Sequence, residues 1–304
     1  MSSEKPIVLV IGATGQTGRY IVADFERDPG DVRLRLAARK KADVESMRAA
    51  GKDAVHFDLD DPETFPFALA GVDRLYLLTG YSVAMLVQSK TVIDAARKAG
   101  VRHIVHQGIF GHWDCSDAHF AWHLMIEKYI EASGIAWTHL HPNVFMENLL
   151  TFLAPRGGKV TSFLGGQRVG WIALKDLAAV AAVVLRQGPE RHAGRDYWLS
   201  PEVLTGAQVA DILSDVLGTE IICEEQSPDV LARMVAESGA MEKNYAEGAV
   251  EFMRQVGNGQ MGYIGTVRDD GPFLTGRAST TLRQWAIENR ESLLRVSGHQ
   301  RSGL

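Results

Sequence analysis

The chain has 304 residues, 46% hydrophobic and 23% charged, with a formal net charge of -5. These proportions describe a globular protein with a substantial core; they exclude a fibrous or disordered chain and give nucleic acid or an anionic membrane no electrostatic hold. Two cysteines, Cys115 and Cys223, are too few for a disulfide framework and fit a reducing cytoplasm; the opening "MSSEKPIVLVIGATG" lacks the apolar core of a signal peptide, and no apolar run nears the roughly 18 residues of a membrane span.

From the N-terminus, short β-rich runs alternate with segments of helical period. The runs are "IVLVIG" from Ile7, "VRLRLAA" from Val32, "AVHFD" from Ala54, "VDRLYLLT" from Val72 and "VRHIVHQG" from Val101, and the clearest helix spans Val83 to Ala99. Such alternation predicts βαβ units, hence an α/β fold of the Rossmann type, a doubly wound parallel sheet with helices on both faces. "AWTHLHP" from Ala136 extends the sheet until Pro142 stops it. The glycine-rich Ala154 to Gln167 reads as an exposed loop or hairpin. "RVGWIA", a helix near Lys175 and the strand-like "DYWLS" from Asp196 then return the segment 168–199 to the sheet. Beyond Thr205 the chain is mostly helical, with helices expected at Thr205 to Leu217, Asp229 to Ala240, Tyr245 to Val256 and Ser279 to Asn289. The expected organisation is a nucleotide-binding domain over 1–155 and a smaller, helix-rich C-terminal domain over 156–304, on the substrate side.

Directly after the first strand stands "GATGQTG", followed by the helical "RYIVADFER". Gly12, Gly15 and Gly18 supply a tight turn, a bare approach for a pyrophosphate and close packing of helix on strand. With Thr14, Gln16 and Thr17 they form a phosphate cradle at a helix N-terminus. A protein built for NAD places a carboxylate at the end of the second strand, about 20 residues beyond the glycines. Here "LAARKK" puts Ala38 there, followed by Arg39, Lys40 and Lys41. An arginine grips a 2'-phosphate that a carboxylate would repel, so NADP(H) is expected over NAD(H), with Arg39 and Lys40 as the contacts. Asp58 and Leu59 after the third strand, Thr79, Gly80 and Tyr81 after the fourth, and Gln107 ending the fifth lie at the carboxyl edge where ligands sit in such sheets.

"VLVIGATGQTGRYIV", the arginine after the second strand, "EKYIEASGIAWTHLHPNVFMENLL" from Glu127, "GWIALKDLAAVAAVVL" from Gly170 and "FLTGRASTTLRQWA" from Phe273 resemble, in this order, the NmrA-like branch of the atypical short-chain dehydrogenases. The resemblance implies NADPH-dependent reduction of quinones, azo dyes or phenolic ethers; the branch also contains NADP-sensing regulators that bind cofactor without evident turnover. No tyrosine in the chain is followed four residues later by lysine, so the usual Tyr-Lys pair of the wider superfamily is missing. In the enzymes resembled, a Lys or His eleven residues ahead of the glycine of "SGI" faces the nicotinamide, which here is His123. Pro142, Asn143, Phe145 and Met146 belong to a stretch that closes over the nicotinamide in that family, although Asn143 stands where relatives often have glycine.

The stretch "GHWDCSDAHFAWH" holds His112, Cys115, His119 and His123. His119 and Glu127 lie one turn either side of His123 on one helix face, which allows Glu127 to orient His123 or raise its pKa, His123 to donate a proton or anchor substrate, and His119 to form a second polar wall. The four could instead share a metal, though the spacing matches no common zinc pattern and hydride transfer needs none, or they could be packing. Phe110, Trp113, Trp122 and Phe145 are candidate walls for a flat ligand, or core. The leading expectation is an NADPH-dependent reductase of a small, quinone-like aromatic or conjugated acceptor, as monomer or homodimer; the alternative is an NADP(H) sensor that binds a partner protein.

Overall fold

The computed structural model describes residues 5–80, 82–113, 115–238 and 242–298. The first half runs β1 (Ile7–Ile11), α1 (Gln16–Arg27), β2 (Arg33–Ala38), α2 (Lys41–Ala49), β3 (Ala54–His56), α3 (Phe65–Leu69), β4 (Val72–Leu77), α4 (Met85–Ala99), β5 (His103–Gln107), α5 (Ala118–Ala132) and β6 (Ala136–Pro142). There follow β7 (Val144–Phe145), β8 (Lys159–Ser162), β9 (Val169–Ile172), α6 (Leu174–Gln187), α7 (Pro189–His192), β10 (Arg195–Ser200) and β11 (Glu202–Leu204). The C-terminal third holds α8 (Gly206–Leu217), β12 (Ile222–Glu225), α9 (Pro228–Ser238), α10 (Lys243–Gly257), β13 (Arg268–Asp269), α11 (Gly271–Thr275), α12 (Leu282–Glu288) and α13 (Arg290–Val296).

Eight strands form one sheet in the order β3-β2-β1-β4-β5-β6-β10-β13, parallel throughout except for the β10–β13 edge. The strand order reverses between β1 and β4, and the crevice at their carboxyl ends is where such sheets take ligands. Val8, Leu9 and Val10 are fully buried because both faces are covered. Val8 and Val10 pack with Ile21 and Phe25 of α1 and Leu177 of α6. Leu9 and Ile11 share the opposite core with Phe65, Val92 and Ile126 of α3, α4 and α5. A further core joins Met146, Trp171, Leu213 and Trp285.

The structure corrects two sequence expectations. Lys159–Ser162, within the stretch expected to be a loop or hairpin, is strand β8, paired in parallel with β12 some sixty residues later. Of the segment 168–199, only β10 joins the main sheet; β9 forms a separate three-stranded sheet with β7 and β11. The cause of the second departure is local: β9 leaves directly into α6, whose first backbone N–H is held by the buried Glu147 carboxylate, and this fixes β9 beside β7. Thr205 caps α8 as its sequence predicts, in a reciprocal capping box with Gln208. No helix among the described residues is long and apolar enough to cross a membrane.

Candidate active site

The chain leaves β1 through Gly12, whose φ of +69 is a conformation that side chains disfavour, and the Gly15 amide closes the turn on the Gly12 carbonyl at 2.8 Å. Gly18 lies flush against that turn. A Cβ there would stand 2.1 Å from the Gly12 oxygen and 2.8 Å from the Ala13 Cα. Gly15 is the N-cap of α1 and offers no side chain to its first amides, which are left for an anion; Gln16 is exposed, Thr14 partly so, and Thr17 and Gly18 are buried beneath. Because the clash is with backbone, Gly18→Ala is expected to destabilise the fold by about 3 kcal/mol or more, read as a fall in thermal midpoint.

The turn is tied to the second strand by the Ala13 amide, 3.1 Å from the Ala37 carbonyl, so Arg39 emerges beside it. His56 Nε2 holds the Arg39 carbonyl at 2.9 Å, while the Arg39 and Lys40 side chains are exposed, with no acidic partner among the described residues. Asp58, Leu59 and Thr79 are partly buried and Gly80 is exposed, all just past the carboxyl ends of β3 and β4; Tyr81 lies outside the described residues. Gln107 ends β5 and accepts a hydrogen bond from the buried Tyr76 hydroxyl at 2.6 Å. Pro142 is buried at the end of β6, and Phe145 packs against the α1–α6 core. The Asn143 amide is committed internally: it donates to Ser200 Oγ and the Ile264 carbonyl at 3.2 and 2.9 Å and accepts from the Val144 amide. Its backbone N–H is committed too, to the Leu199 carbonyl at 3.1 Å, so the side chain serves the fold and is not offered to a ligand.

Helix α5 starts at the same edge, where Asp117 caps it by accepting from the Phe120 amide at 2.9 Å. The rings of His119 and His123 stand 5.7 Å apart. His119 Nε2 is 2.6 Å from the Tyr245 hydroxyl of α10, so the C-terminal third closes on the helix here. Burial holds His119 down at about 4; it also holds His123 well below the ordinary histidine value, with His119, His106 and His141 pushing the same way. That direction is opposite to the one expected from a neighbouring carboxylate, because desolvation dominates and Glu127 turns elsewhere. His123 is therefore a neutral imidazole, and its Nδ1 has no hydrogen-bond partner among the described residues.

The Glu127 carboxyl enters a histidine cluster on the sheet, made by His106 of β5 with His139 and His141 of β6. Burial pushes it up to about 7, against the pull of His141. At Gly108 a Cβ would stand 2.5 Å from Glu127 Oε1, so glycine makes room for it. His141 directs both ring nitrogens at acceptors, Nδ1 at the Ile109 carbonyl and Nε2 at Asp196 Oδ1, each at 2.9 Å. Only the imidazolium donates to both. Burial opposes protonation, but the Asp196 bond, the Glu127 carboxyl and the Ile109 carbonyl outweigh it and raise the His141 pKa. The pair thus contributes stability that is full below the ordinary histidine pKa and is lost as pH rises through the raised one. Asp196→Asn is expected to lower the thermal midpoint more at pH 6 than at pH 9.

The quartet His112, Cys115, His119 and His123 does not converge: among the described residues the group of ligand-type atoms that meets is His106, Glu127 and His139. His112 is exposed. Of the four aromatic residues, Phe110 is core, edge-on to Trp198 at 5.0 Å; Trp122 packs toward Tyr245; Trp113 is 81% exposed. Sequence reading missed His106, His139, His141 and Asp196. The available signal was the repeated histidine in the strands "HIVHQ" and "THLHP".

A model of the NmrA-like family matches residues 4–269. The chain belongs to this family. An NAD(P)H azoreductase from Xenophilus azovorans is 30% identical over 92% of this chain and 96% of its own. An NADPH-dependent quinone oxidoreductase from Escherichia coli, solved with NADPH, is 25% identical with a TM-score of 0.79, covering 93% of this chain and 99% of its own. A Citrobacter sp. triphenylmethane reductase solved with NADP(H) shares the fold at a TM-score of 0.80 and 24% identity, over 93% and 99% of the two chains.

Proposed function

We propose that this member of the NmrA-like family is an NADPH-dependent reductase of a small aromatic or conjugated acceptor, of the quinone or azo-dye class on which its relatives are named to act. The observation that carries the reading is the glycine turn, where Gly18 abuts the Gly12 carbonyl and the uncapped start of α1 lies beside an exposed Arg39. A dinucleotide fits these residues. Gly12, Thr14, Gly15, Gln16, Thr17 and Gly18 would hold its phosphates, and Arg39 with Lys40 its 2'-phosphate, which favours NADPH over NADH. When bound, NADPH supplies a hydride.

Asp58, Leu59, Thr79, Gly80, Gln107, Pro142 and Phe145 are the remaining proposed contacts along the carboxyl edge. The neutral His123 donates an N–H to the acceptor atom on which negative charge develops, a role that needs no protonated histidine. His119, held by Tyr245 of α10, forms a wall of the same site, and α10 covers the acceptor. Glu127 acts at a distance, by seating α5 on the sheet. In this reading the missing Tyr-Lys pair has no single substitute: the proton comes from solvent, and the site supplies hydrogen bonding.

The test is to titrate NADPH against the protein and then follow NADPH consumption with quinones, azo dyes and aromatic ketones. Consumption with at least one class, at a rate proportional to enzyme, is expected. Tight binding with no consumption by any acceptor would overturn the reading in favour of a cofactor sensor.

A further inference from the structure

The histidine cluster beneath α5 has a feature that hydride transfer does not use. His106 and His139 are in register on adjacent parallel strands, so their side chains leave the same face of the sheet, and their rings stand edge-on at 5.4 Å. Glu127 descends between them from α5. The three residues each offer a ligand atom within 4.8 Å of the other two. His106 and His139 are 0% exposed and Glu127 is 4% exposed. Both nitrogens of His106, both of His139 and Oε1 of Glu127 have no hydrogen-bond partner among the described residues. Buried polar atoms are almost always paired, and leaving one unpaired costs about 1–3 kcal/mol. Three buried ligand atoms that converge without partners call for an occupant.

The donor set states which occupant. Two neutral imidazoles and one carboxylate match the three-ligand centres that bind zinc with a fourth position open, whereas magnesium and calcium select oxygen donors. Ionisable groups lie just outside the cluster, beyond hydrogen-bond distance of its ligand atoms. The His139 ring stacks on Trp137 at 4.4 Å, and its Nε2 lies 3.8 Å from Glu131 Oε1. His141 sits 3.6 Å from Glu127 Oε1 and is charge-balanced by Asp196. Gly108, without a side chain, makes room for the Glu127 carboxyl beside the His106 ring.

We propose that His106, Glu127 and His139 form a buried binding site for a divalent transition-metal ion, zinc foremost. The ion ties α5 to β5 and β6. It lies one helical turn from His123, whose ring is 6.4 Å from that of His106, and so sets the position of the helix face that carries His119 and His123. The inference does not depend on the reductase reading, since it concerns ion binding in the absence of any acceptor.

The test uses the full chain, stripped with a chelator and dialysed, then titrated with Co2+ and separately with Zn2+. The expected result is one ion per chain, visible cobalt absorption bands of a site with nitrogen and oxygen ligands, and a rise in thermal midpoint with Zn2+. His106→Gln, His139→Gln and the near-isosteric Glu127→Gln are each expected to weaken binding about 100-fold or more, while the double variant His112→Ala, Cys115→Ser keeps the wild-type affinity. Circular dichroism checks that the variants fold. Failure of the wild type to bind either ion at about 100 µM would overturn the site without reference to any variant. So would a folded Glu127→Gln or His139→Gln protein that binds with wild-type affinity, or loss of binding in the His112, Cys115 variant alone.

Discussion

Replacement of His123 by alanine lowers kcat with a quinone or azo-dye acceptor by about 100-fold, while the Kd for NADPH stays within about twofold. The size follows from the role. A preorganised donor facing the atom where charge develops is worth about 100- to 1000-fold in turnover. The donor must be neutral here, because burial and the neighbouring histidines hold His123 well below its ordinary pKa. A pH profile of kcat between 6 and 8 therefore carries no ionisation that disappears in the variant. His123→Gln, which keeps an N–H, recovers part of the lost rate. A fall of less than about threefold in His123→Ala would reduce His123 to packing.

Arg39→Ala raises the KM for NADPH by about 10- to 150-fold and leaves that for NADH nearly unchanged. One charge-assisted contact to a phosphate is worth roughly 1.5–3 kcal/mol, which converts to that range. The Arg39 backbone is held by His56 and its side chain is exposed without an acidic partner among the described residues, so the substitution removes the contact and disturbs little else. Equal changes for the two cofactors would show that Arg39 does not read the 2'-phosphate. Measuring kcat/KM for both cofactors with one acceptor decides the matter.

What could be read from the sequence had local causes. The alternation of strand and helix periods is a property of neighbouring residues, and β1 through β6 follow it. The glycine turn is equally local, because a strand, three glycines at fixed spacing and a helix leave the chain one compact way to turn. β8 was hidden for the opposite reason: its partner β12 lies far along the chain, and the glycines flanking β8 look like those of a loop. The histidines show the same divide. "GHWDCSDAHFAWH" draws attention because its histidines are close in sequence, yet the ones that converge are His106 and His139, thirty-three positions apart and joined only by the register of β5 on β6. Nor does helical spacing reveal which way Glu127 turns. It shares a face with His123, but the glycine at 108 opens a place for its carboxyl among the strands.

The most direct test of the central claim is a single turnover. NADPH-loaded protein is mixed in a stopped-flow instrument with a quinone or an azo dye, and the nicotinamide and acceptor absorbances are followed together without oxygen. Reduced nicotinamide is expected to disappear and reduced acceptor to appear at the same rate and in equal amounts, with the rate falling about 100-fold in His123→Ala. NADPH that stays bound and reduced beside every acceptor tried would contradict that claim.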